Sequence, residues 1–155
     1  MGEVQVKVKL ETRVAGLTFI DGVVVCTIFR GGLWLDGVLS RACFENPIDE
    51  AVELLKSSSH YPQVNYVLFD GFDWSGYLVD VKRLFHELKR PVVAVSLSAS
   101  SEAQFSPRHG LYFKFEGASL DVVESLLDVV MVCGAFPEPI RVARLLALSL
   151  LETLR

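Results

Sequence analysis

Hydrophobic positions open the chain with period two. Val4, Val6, Val8 and Leu10 alternate with Gln5, Lys7 and Lys9, the signature of a half-buried strand. Leu17 to Ile20 then runs into Asp21-Gly22, a pair that favours a two-residue hairpin because both central positions need positive φ. Val23 to Phe29 is a β-branched return strand, broken by Arg30-Gly31-Gly32. Leu33 to Phe44 reads as a third strand interrupted at Asp36-Gly37. The opening is therefore an antiparallel meander.

After residue 45 the period changes. Asn46 can cap and Pro47 suits a first helical turn, which predicts a helix from about Ile48 to Ser58 that buries Ala51, Leu54 and Leu55. Asn65 to Phe69 is a short apolar strand ending in Asp70-Gly71. A second helix runs from about Leu78 to Lys89, with Val79, Leu84, Phe85 and Leu88 inward. Pro91 to Leu97 is a further buried strand, and the Ser-rich stretch Ser98 to His109 reads as a mobile surface loop. Leu111 to Phe115 has the look of an edge strand. Ser119 caps a helix to about Val132 that Gly134 terminates, and Pro137-Glu138-Pro139 opens a last helix from about Ile140 to Leu154.

No linker or repeat divides the chain, so residues 1–155 form a single domain. A three-strand meander followed by alternating helices and strands is the order of the α/β RNase H-like fold: a mixed central sheet with helices on both faces. A doubly wound parallel fold would alternate from the start.

Composition narrows the setting. Half of the residues are hydrophobic (51%), yet charges interrupt every apolar run before the roughly 18–20 residues of a membrane span. The excess fits strands buried on both faces. The cysteines Cys26, Cys43 and Cys133 are widely spaced and form no CxxC pair, as expected of core thiols in a reducing cytoplasm. A net charge of −4 argues against a protein that coats nucleic acid through bulk phosphate neutralisation, but leaves room for a local patch. His60, His86 and His109 make no metal-spaced pair, and neither a P-loop nor a Gly-x-Ser-x-Gly elbow is present.

Candidate chemistry gathers at a few positions. Asp70 ends an apolar strand, and Gly71 after it lets a substrate backbone come close, though an Asx turn would use the same residues. Asp49 stands at the head of the first helix, where it also suits the helix dipole. Arg30-Gly31-Gly32 offers a guanidinium and backbone amides to a phosphate, or simply a bend. Trp34 and Trp74 can stack on bases or fill the edge of a core. The stretch Leu145 to Leu151 is apolar on nearly every face, which predicts either burial on two sides or a homodimer through the C-terminal helix.

Four segments carry a resemblance. Phe29-Arg30-Gly31-Gly32-Leu33-Trp34-Leu35-Asp36-Gly37-Val38-Leu39-Ser40, Lys56-Ser57-Ser58-Ser59-His60-Tyr61, and Leu68-Phe69-Asp70-Gly71-Phe72 with Gly76-Tyr77 resemble an uncharacterised, mainly archaeal family related to endonuclease V. Pro137-Glu138-Pro139-Ile140-Arg141-Val142-Ala143 is similar to a Pro-Glu-Pro-x-Arg-x-Ala motif of endonuclease V itself. The resemblance spans about Arg13 to Leu151. It implies an RNase H-like fold and a carboxylate site that cuts DNA or RNA with Mg²⁺ or Mn²⁺, its ligands and catalytic groups carried here by Asp49 and Asp70.

Two positions depart from that pattern. Thr18 stands where the relatives carry an Asp-Asp pair, and Arg144 stands where a His or Asp is expected. A hydroxyl brings no charge to a hard cation, and a fixed cation repels one. The expectation is a nucleic-acid-binding or regulatory protein with a degenerate metal site. An active metal-dependent endonuclease and a non-catalytic assembly subunit are the alternatives.

Overall fold

The computed structural model describes residues 7–153. The strands are β1 (Arg13–Ile20), β2 (Val23–Arg30), β3 (Trp34–Ala42), β4 (Tyr66–Asp70), β5 (Asp73–Trp74), β6 (Tyr77–Leu78), β7 (Val92–Ser96), β8 (Gln104–Ser106) and β9 (Leu111–Glu116). The helices are α1 (Pro47–Lys56), α2 (Val81–Leu88), α3 (Leu120–Val130) and α4 (Glu138–Thr153).

Seven strands form one sheet in the order β3-β2-β1-β4-β7-β9-β8. The meander β1–β2–β3 is antiparallel, β4 lies parallel to β1 and to β7, and β9 returns antiparallel between β7 and β8. The sheet is thus mixed, as its order in the sequence predicts. Asp21 (φ 45°) and Gly22 (φ 87°) both take positive φ in the first hairpin, the geometry that matches the twist of the flanking strands. The break at Asp36-Gly37 is a bulge: Ile28 pairs with Gly37 and Phe29 with Leu35, leaving Asp36 extra.

Alternation along the central strands sends side chains to two cores. Ala15, Leu17, Val67, Phe69 and Ala94 pack under α1 and α2. Val14, Leu68, Val93 and Val95 pack under α3 and the start of α4, and Val23 and Val25 pack against Ala143 and Ala147 of α4. Helices therefore cover both faces. Asn46 and Ser119 cap α1 and α3 as expected, each side chain accepting from amides of its first turn.

Other expectations are corrected. Val4 and Val6 lie outside the described residues, and Val8 to Thr12 is not a strand; Leu10 is exposed and Val8 is held by its amide donating to Ser125 Oγ. The second helix starts at Val81, capped by Asp80, because Tyr77-Leu78 pairs with Asp73-Trp74 as a small hairpin. The stretch read as a surface loop contains β8, so β9 is interior. Ser106 is fully buried there, its hydroxyl 2.7 Å from His109 Nδ1, while His109 Nε2 reaches Asp128 of α3 at 2.7 Å. α4 is buried on one face rather than on two, with Leu145 and Leu148 exposed.

Candidate functional site

The prolines of Pro137-Glu138-Pro139 set the site. Gly16 has no Cβ, and one added there would lie 2.5 Å from Pro139 backbone carbon. The missing side chain lets α4 lie directly on β1. Thr27 of β2 fixes the contact by donating its hydroxyl to Pro139 O at 2.6 Å. From Pro139 the helix advances about 7.5 Å over five residues at 1.5 Å each. Gly16 to Thr18 along β1 is about 6.6 Å. Arg144 therefore arrives level with Thr18 and, one strand further, with Asp70 at the carboxyl end of β4.

There the three side chains meet. Arg144 Nε donates to Asp70 Oδ2 at 2.7 Å and Nη2 to Oδ1 at 2.5 Å, a two-pronged guanidinium–carboxylate pair. Thr18 donates its hydroxyl to Asp70 Oδ2 at 2.7 Å. The Asp70 side chain is only 12% exposed, Arg144 41%. Arg144 also lies over the Phe136 ring, 4.3 Å from its centroid. Hydrogen bonding to Asp70 raises the Arg144 pKa above its ordinary value, outweighing the burial that acts the other way. The backbone is held too: Trp74 Nε1 donates to Asp70 O, and Gly71 N donates to Val95 O. Gly71 takes φ 85° and faces open space.

Arg141, one turn earlier, reaches back to Glu138, with Nε donating to Oε2 at 2.8 Å. That hydrogen bond holds the Glu138 carboxyl below its usual range against the opposing effect of burial.

Asp49 lies elsewhere. On the first turn of α1 it accepts from Arg83 Nη2 of α2 at 2.5 Å, in an exposed groove. α1 covers the face that receives Val67 and Phe69, whereas Asp70 is directed to α4 on the other face. Among the described residues no hydrogen bond or ion pair joins Asp49 to Asp70, the two expected ligands: each has its own arginine, Arg83 and Arg144, on helices covering opposite faces. Among the described residues no three His, Cys, Asp or Glu side chains stand together in a way that could hold a metal ion. These residues do not fit Mg²⁺ or Mn²⁺, which need several oxygen ligands.

The expected substrate-binding residues divide as well. Gly71 is beside Asp70, but Arg30, Gly31, Gly32 and Trp34 are at the other end of the sheet, where Arg13 pairs with Arg30 and Arg30 with Trp34. Gly31 and Gly32 are buried; the Gly31 amide donates to Thr12 O, and Gly32 packs on Val129 and Val130. The Gly31 amide is thereby taken within the chain. Trp34 is 64% exposed, while Trp74 is buried against Phe19 and Phe69. Thr18 and Arg144 were legible as departures from a pattern; what the sequence did not reveal is that they converge on one carboxylate. The signal was a lost negative charge and a gained positive one at a shared site.

The fold is that of endonuclease V. A solved endonuclease V of Ciona intestinalis, in complex with a 24-mer DNA containing an inosine followed by a ribo-adenosine, superposes with TM-score 0.59 at 12% identity, over 93% of this chain and 87% of that one. A solved protein of Archaeoglobus fulgidus gives TM-score 0.77 at 22% identity, over 90% of this chain and 98% of that one. Within that class the chain belongs to the endonuclease dU family, whose model matches residues 20–106. A UPF0215 protein of Methanopyrus kandleri is 30% identical, covering 91% of this chain and 92% of its own length. The matched segment contains Asp49 and Asp70 but neither Thr18 nor Arg144.

Proposed function

We propose that this protein binds nucleic acid at the Asp70 end of the sheet without metal-dependent cleavage. One observation carries the reading: both oxygens of Asp70 are taken by Arg144, and Thr18 adds a hydrogen bond to one of them. The guanidinium stands where a hard cation would need to bind, and Thr18 supplies no second carboxylate. Arg144 has five N–H donors. Asp70 accepts from two of them, so a half-exposed, always-charged group keeps donors for a phosphate oxygen or a base carbonyl. The Ciona endonuclease V complex, with its inosine-containing DNA, and the endonuclease dU family make deaminated bases the first ligands to try. The family's name also favours the rival reading, an active endonuclease, for which the resemblance implies a divalent metal.

One assay separates them. Labelled single-stranded and duplex oligonucleotides containing deoxyuridine or inosine are incubated with the protein in Mg²⁺, Mn²⁺ or EDTA. The expected result is binding that EDTA does not change, no cleavage product, and weaker binding by Arg144→Ala. Metal-dependent cleavage establishes the rival instead. No binding at low salt removes both and leaves the assembly subunit.

A further inference from the structure

The opposite end of the sheet carries a feature that the Asp70 site does not use. Register puts Arg13, Arg30 and Trp34 side by side on β1, β2 and β3. Lys7, Lys9 and Arg13 line a depression of about 450 Å³ with Glu11, Thr12, Asn65 and Tyr66. Among the described residues, the four cations Lys7, Lys9, Arg13 and Arg30 stand with two acids, Glu11 and Asp36, a local balance of +2 on a chain of net charge −4. Arg13 and Arg30 share Asp36, at 3.7 and 3.0 Å, so neither is fully neutralised. The Arg30 guanidinium lies 5.7 Å from the centroid of the exposed Trp34 ring. Leu33, next to Trp34 in the chain, and Leu10, whose carbonyl lies by Gly31, are exposed as well.

We infer that this rim is a second binding surface, for single-stranded nucleic acid. The lysines and arginines track phosphates, and Trp34 offers a face on which a base stacks. The concentration of positive charge on an acidic protein selects a polyanion. The exposed indole beside a guanidinium adds a face for stacking bases, which every nucleotide carries and a polyglutamate chain lacks. The inference extends the nucleic-acid reading but stands on residues remote from Asp70.

Trp34 is also the reporter, because the chain's other tryptophan, Trp74, is buried and hydrogen-bonded. Oligothymidylate of twelve residues is titrated into the protein while indole fluorescence is followed. Quenching is expected, with a log–log salt slope near −2.5 for three to four phosphates at about 0.7 each, or about 30-fold weaker binding from 50 to 200 mM salt. Lys7→Glu with Lys9→Glu should weaken binding at least tenfold. Trp34→Phe should remove the signal. Absence of quenching, or binding indifferent to the lysine changes, overturns the inference. Equal quenching by polyglutamate overturns it in favour of an acidic protein partner. If Arg144→Ala abolishes oligonucleotide binding and the lysine changes do not, the Asp70 reading survives and this one fails; the reverse pattern has the opposite meaning.

Discussion

Truncating Arg144 to alanine strips Asp70 of two charge-assisted hydrogen bonds and leaves only the Thr18 hydroxyl on a side chain 12% exposed. Breaking a fully buried ion pair by removing one partner costs about 3–5 kcal/mol. Here the guanidinium is 41% exposed, so water reaches the gap and screens part of the loss. A cost of about 2 kcal/mol follows, or about 4–8 °C in Tm for a chain of this size. Thermal melts of the wild type, Arg144→Ala, Asp70→Asn and the double variant isolate the pair. A coupling energy of about 2 kcal/mol is expected, well above the limit of about 0.5 kcal/mol for independent sites. Arg144→Lys should be intermediate, since an ammonium keeps the charge without the two-pronged geometry. Additive single effects would mean that Asp70 does not depend on Arg144.

Thr18→Asp with Arg144→His should bring a second carboxylate and a neutral ligand to Asp70. The variant is expected to melt below the wild type without metal and to regain several degrees in millimolar Mn²⁺; melts with and without the ion check this, and no Mn²⁺ effect contradicts it. Gly16→Ala places a Cβ 2.5 Å from Pro139 backbone and should cost about 1–3 kcal/mol by overpacking, which an unchanged Tm would contradict. Arg141→Ala tests a pH dependence. Glu138 titrates below its ordinary value of 4.5 in the fold, so the pair contributes stability above that value and loses it as pH falls through the lowered one. The stability gap between wild type and variant, read from denaturant titrations, should be full at neutral pH and shrink below about pH 4. A gap constant down to pH 3 would be the contrary result.

Local chemistry made much of the fold legible. Asp21-Gly22 defined a hairpin, Asn46 and Ser119 marked helix starts, and the apolar run ending at Asp70 marked a strand. Each of these signals acts within a few residues. The errors arose where tertiary pairing overrode a local pattern. β8 holds only Gln104 to Ser106, and burial of Ser106 depends on His109 and on Asp128 of α3. Val8 to Leu10 alternates like a strand but finds no partner in the sheet. The site was legible one residue at a time. Asp70, Thr18 and Arg144 each stood out, yet the pair spans 74 positions. Only the glycine that seats α4 on β1 brings them together. Asp49 joins Asp70 by resemblance alone; in the structure each carboxylate pairs with a different arginine.

If, as proposed, the Arg144 guanidinium holds Asp70 in place of a divalent ion, Mn²⁺ should find no site there. Crystals soaked in Mn²⁺ and measured for anomalous scattering test it directly. No manganese peak is expected at Asp70, with Arg144 still paired to both oxygens. A peak at coordination distance from Asp70, with the Arg144 side chain swung away, would contradict it.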